Sequence, residues 1–87
     1  MLVETTLDAR DMAPPEPFDR ATAILRQLQP GQYLRMLHRR VPYPLFEFCR
    51  TMSMAYSVNE DAASACEIII YFSTDEQALQ QGGIILG

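Results

Sequence analysis

An α/β (α+β) two-layer sandwich is predicted, with element order β-α-β-α-β-β and a four-stranded mixed sheet carrying two helices on one face. Three observations carry it: two segments, 2–7 and 32–38, alternate in polarity; two others place apolar residues three and four apart; and Ile68, Ile69, Ile70, Tyr71 and Phe72 form a continuous strand-forming run. At 87 residues the chain is long enough for one small core.

The first strand is read over Leu2 to Leu7, with Val3, Thr5 and Leu7 on one face and Glu4 and Thr6 on the other. Asp8 to Pro14 is a loop. A helix is expected from about Pro15 to Gln29, because Pro15 and Pro17 fit a first turn whose N–H groups have no partner, and Glu16 and Asp19 lie at the positive end of its dipole. Phe18, Ala21, Ile24, Leu25 and Leu28 form its apolar stripe.

Pro30-Gly31 stops this helix and turns the chain into a second strand, Gln32 to His38, with Leu34 and Met36 on one side and Tyr33, Arg35 and Leu37 on the other. Arg39 to Pro44 is a rigid, proline-rich loop. Leu45, Phe48, Cys49 and Met52 then repeat at helical spacing to about Ser53. Ala55 to Asn59 reads as a third strand, Glu60 to Ala65 as a turn, and Cys66 to Ser73 as a fourth strand, buried on both sides or covered by a tail.

Residues 1–73 form the domain on this reading, and 74–87 a C-terminal extension, as a short helix or docking tail. Thr74 and Gln77 suit a capping box, and Gly82-Gly83 would end the helix before the apolar Ile84-Ile85-Leu86. Docking of this end on the open sheet face or on a second chain is favoured over disorder, which leaves homodimerisation through the tail open.

The net charge of −4 argues against generic contact with nucleic acid or an anionic membrane surface. The charge is segregated: all seven basic residues are arginines between positions 10 and 50, whereas every charged residue from 51 onward is acidic. The N-terminus lacks the basic and apolar regions of a signal peptide and no apolar run reaches membrane-spanning length, so a cytoplasmic location is expected. Cys49 and Cys66 lack metal-ligand spacing and read as buried thiols. No catalytic residue, metal set or cofactor is assigned. The tentative binding residues are Arg10, Glu16, His38, Arg39, Arg40 and Tyr43, because arginine forks match carboxylates and two proline-rich loops are pre-organised for contact.

Leu7-Asp8-Ala9-Arg10 followed by Pro14-Pro15-Glu16-Pro17 resembles the segment of the TusA/SirA-like sulfur-transfer proteins that leads into Cys-Pro-x-Pro, and Gln29-Pro30-Gly31-Gln32 is similar to the step that opens their second strand. The closer resemblance is to a Cys-less branch of small bacterial domains of unknown function, in which these elements recur with a segment like His38-Arg39-Arg40 and Pro42-Tyr43-Pro44-Leu45. The resemblance covers residues 7 to about 73 and implies that superfamily's two-layer fold. It sets Pro14 where the carriers keep their persulfide cysteine, and proline has neither a nucleophile nor a backbone N–H. Persulfide relay at this position is thereby excluded.

A non-catalytic interaction or regulatory module that contacts another protein is the first functional expectation. The alternative is a small-ligand or metal-centre binder in a redox, respiratory or nitrogen-oxide pathway, since similar domains lie beside such genes. Residual sulfur transfer through Cys49 or Cys66 ranks below both.

Overall fold

The computed structural model describes residues 2–62 and 65–84. Its elements are β1 (Val3–Asp8), α1 (Glu16–Gln27), β2 (Gln32–His38), α2 (Tyr43–Thr51), β3 (Met54–Ala62), β4 (Ala65–Phe72), a 3-10 turn (Ser73–Asp75) and α3 (Glu76–Gln81). The four strands form one mixed sheet in the order β1-β2-β4-β3, with β1 parallel to β2 and the other pairs antiparallel. This is the expected α+β architecture.

One face of the sheet carries the main core. Leu34 and Met36 of β2, and Ile68 and Ile70 of β4, are fully buried against Ala21 and Leu25 of α1 and Leu45 and Cys49 of α2. Each large apolar side chain withdrawn from water in this way contributes on the order of 1.5–3 kcal/mol. The rings of Phe46 and Tyr56 stack 4.0 Å apart and tie α2 to β3, while Phe18 meets Phe48 edge-on at 6.4 Å between the two helices.

Most of each expected helical stripe packs inward, with Ala21, Leu25 and Leu28 of the first and Leu45 and Cys49 of the second buried, and the departures fall at single positions. On α1 the buried residues are Pro17, Ala21, Thr22 and Leu25, and Phe18 is 38% exposed. Thr22 is accommodated because its hydroxyl donates to the Asp19 carbonyl at 3.1 Å, which satisfies the polar group inside the helix. On α2 Phe46 is buried, and Met52, just past the C-terminal end, is 39% exposed. The helix α1 also closes two residues early, where Leu28 turns extended before Pro30 and the left-handed Gly31 (φ 89°).

β3 runs through Ala62, well beyond the expected end at Asn59 and into the segment read as a turn. The register shifts between Asn59 and Ala62, so this edge strand passes an irregularity before its end. Residues 63 and 64, the rest of that turn, lie outside the described residues.

Tyr33, Ile69 and Tyr71 on the second face of the sheet pack with Leu79 of α3, which is fully buried, and Leu2, Ala55 and Ile84 complete this smaller cluster. Burial of β4 on both faces explains its uninterrupted apolar run. The expected capping box does not form: α3 starts after Asp75 without a side-chain cap. Instead the Asp75 Oδ2 accepts the Gly31 backbone N–H at 2.8 Å and fastens the start of α3 to the turn before β2. Gly83, with φ 86°, ends the helix at the expected glycine pair. Ile85, Leu86 and Gly87 lie outside the described residues.

Candidate functional site

The parallel pairing of β1 with β2 brings the loop after β1 beside the loop after β2. Both loops are rich in proline. Ala9, directly after β1, donates its N–H to the Leu37 carbonyl at 2.8 Å and continues the ladder, so the chain leaves the sheet in a fixed direction before Pro14. The second loop climbs from His38 through Pro42, where α2 starts with Pro44 in its first turn.

Between the loops lies a hollow of about 240 Å³, walled by Pro14, Pro17, Phe18, Pro42 and Leu45. Met36 forms part of its floor, and His38 and Arg40 stand on its edge. A second hollow of about 300 Å³ adjoins it and is bounded by Arg10, Asp11, Met12 and Arg39. Pro14, His38 and Arg40 belong to both.

His38 has a defined hydrogen-bonding state. Its Nδ1 accepts the backbone N–H of Arg39 at 2.8 Å and, more weakly, that of Arg40 at 3.4 Å, so the ring proton resides on Nε2. Burial and then the Arg40 charge depress its pKa, both acting against the charged imidazolium.

The arginines differ in availability. Arg10 grips Asp8 in a two-point ion pair, with Nε to Oδ1 at 2.8 Å and Nη2 to Oδ2 at 2.7 Å. The Arg10 side chain, joined by its own backbone N–H, holds the Asp8 carboxyl down to about 2. Arg39 lies 3.5 Å from Asp11, a long contact on the surface. Arg40 pairs with no carboxylate among the described residues.

Four of the six binding residues read from the sequence therefore come together: Arg10, His38, Arg39 and Arg40. Two do not. Glu16 points along α1 and pairs with Arg20 at 3.1 Å, and Tyr43 is 71% exposed with its ring edge-on to Phe46. Phe18 falls on the apolar stripe of the first helix in the sequence yet is 38% exposed and lines the hollow, whereas Met36 and Leu45, which also line it, are fully buried in the core as expected; Pro17 directly before Phe18 is the signal that sets this ring at the helix entrance.

The cysteines stand apart from this region's surface. Cys49 is fully buried among the helix α2 core residues, and burial pushes its thiol up to about 11. Cys66 is buried beside His38 on the neighbouring strand, and burial raises its thiol as well. A thiol so shifted supplies little thiolate near neutral pH. Among the described residues no three His, Cys, Asp or Glu side chains gather as a metal set, and no helix is long and apolar enough to cross a membrane.

A family model described as Uncharacterized conserved protein (DUF2249) matches residues 6–71, from β1 to the end of β4. No curated protein and no solved structure matches the chain.

Proposed function

The chain belongs to the DUF2249 family of uncharacterized conserved proteins, and on that premise we propose that it is a non-catalytic interaction or regulatory module, built on a fold like that of the TusA/SirA-like sulfur carriers but without their persulfide cysteine. The observation that carries the reading is the joining of Pro14, Pro17, Pro42 and Pro44 around one apolar hollow. Proline walls have fixed backbone angles, so docking against them costs little ordering entropy. Pro14 stands where the carriers keep their reactive thiol, which turns the reactive end of that scaffold into part of a contact surface.

A second reading is favoured by the neutral His38 beside this hollow: the same residues would hold a small organic ligand, oriented by the Nε2–H group.

Photo-crosslinking in the cell of origin tests the proposal. A photoreactive residue replacing Tyr43, which is exposed between the hollow-lining Pro42 and Pro44 although its own ring does not line the hollow, is expected to yield a discrete adduct with one partner protein, whereas one replacing Gln80 on α3 is not. Equal labelling from the two positions, or none from Tyr43, would contradict the reading.

A further inference from the structure

Two hollows of unlike chemistry meet at one rim. The first is apolar and faced by Pro14, Pro17, Phe18, Pro42 and Leu45; the second is edged by Arg10 and Arg39; Pro14, His38 and Arg40 divide them. An occupant that spans the rim sets an apolar group against the prolines and a negative charge directly beside it.

The available cation is Arg40. Arg10 is already clasped by Asp8 and Arg39 stands against Asp11, whereas the exposed Arg40 guanidinium has no carboxylate partner among the described residues. A guanidinium presents a planar fork of donors and no acceptor, a geometry that takes a carboxylate at two points. His38 adds a second donor, because its Nδ1 is occupied by the Arg39 amide and its proton is on Nε2.

Resting on the interaction-module reading above, we infer that the paired hollows receive a peptide segment of a partner protein in which an aliphatic or aromatic residue stands next to Asp or Glu. The apolar side chain enters between the two proline segments, and Arg40 takes the carboxylate with His38 beside it. The first hollow, about 240 Å³, has room for a single apolar side chain, and the adjoining one, about 300 Å³, for the charged neighbour. Charge complementarity narrows the partner further. The chain is acidic overall at −4, and its arginines are confined to positions 10–50, so an acidic segment is repelled by much of the surface and admitted at this one.

Random heptapeptides displayed on phage and selected against the full chain test the inference, with a fluorescein-labelled copy of the best peptide titrated by anisotropy. Selected peptides are expected to carry an apolar residue next to Asp or Glu. Arg40→Ala is expected to weaken binding about ten-fold or more. Replacing the acidic peptide residue by Ala should produce the same loss, and combining the two changes should add little to either. Phe18→Ala should weaken binding of every selected peptide. Both altered side chains are exposed, and unchanged thermal melts verify that the variants are folded.

Selected peptides that lack an acidic residue, or that ignore Arg40→Ala, overturn the inference. The interaction-module reading stands in that case provided Phe18→Ala still weakens them. No selected peptide, or peptides insensitive to both substitutions, overturns the two together. Binding of benzoate or hexanoate as tight as that of the best peptide overturns the inference in favour of a small carboxylic acid.

Discussion

The backbone N–H of Arg39 donates to Nδ1 of His38 at 2.8 Å, so the turn that follows β2 locks the imidazole in one tautomer. Protonating Nδ1 would set a donor against a donor. Burial, followed by the neighbouring Arg40 charge, acts in the same direction and places the His38 pKa below its ordinary value of 6.5. Stability is therefore at its full value above the unfolded pKa and is lost as the pH falls from there through the folded one. Following the ring C–H resonances against pH checks this; a midpoint above the ordinary value would contradict the geometry.

Both thiols should be silent in the folded chain. Cys49 is fully buried with its thiol near 11, and Cys66 is buried with its thiol raised. A chromogenic disulfide reagent at pH 8 is expected to react with neither until the protein unfolds. Cys49→Ser should lower stability by about 1–3 kcal/mol, because it sets a hydroxyl among apolar neighbours. Fast labelling of the native protein would reopen sulfur transfer.

The sheet was more legible than the helix faces, for a physical reason. Gln32–His38 is bracketed by Pro30-Gly31 and by a charged, proline-rich loop, and its alternation decides both its ends and its two faces. β4 was legible because only burial on both sides suits five consecutive large apolar residues. The end of β3 was not, since Asn59 and Asp61 favour turns, and the strand continues only because Asn59 pairs with Glu67 and Ala62 with Ala65 of β4 on either side of an irregularity. The helix stripes depart from the expected spacing at single positions: Phe18 satisfies it yet meets Phe48 at the surface, while Thr22 turns inward by bonding to its own helix. At the candidate site, the arginine cluster and His38 were visible as residue types. Which of the arginines besides Arg10 meets a carboxylate was not, because it depends on how the two loops face each other: Arg39 reaches Asp11, and Arg40 has no carboxylate partner among the described residues.

Docking of α3 rests on few groups and should be easy to weaken. Leu79 is fully buried on the second sheet face, and Leu79→Ala is expected to cost about 2–3 kcal/mol, toward the low end for buried leucines because so short a helix can readjust. Asp75→Ala, which removes the acceptor for the Gly31 N–H, should cost about 1 kcal/mol. Chemical denaturation measures both. A loss for Leu79→Ala within the error of the measurement would mean that α3 does not hold this face in solution.

Asp8 should remain ionised to unusually low pH. Its folded pKa, about 2, lies below the ordinary 3.8 because Arg10 bonds to it through side chain and backbone. Its stabilising effect is thus complete above the ordinary value and lost as the pH falls through about 2. Carboxyl carbon resonances followed against pH test this directly, and Arg10→Gln should return Asp8 towards its ordinary value.

The joining of the two proline segments into one contact surface is tested most directly by a ¹H–¹⁵N correlation spectrum of the full chain, titrated with a peptide carrying an apolar residue beside Asp or Glu. The expected result is a set of shifts confined to Phe18, His38, Arg39, Arg40, Val41 and Leu45, reduced sharply in Arg40→Ala. Shifts that gather instead on the outer edges of β1 and β3 or along α3, with these residues unmoved, would contradict it.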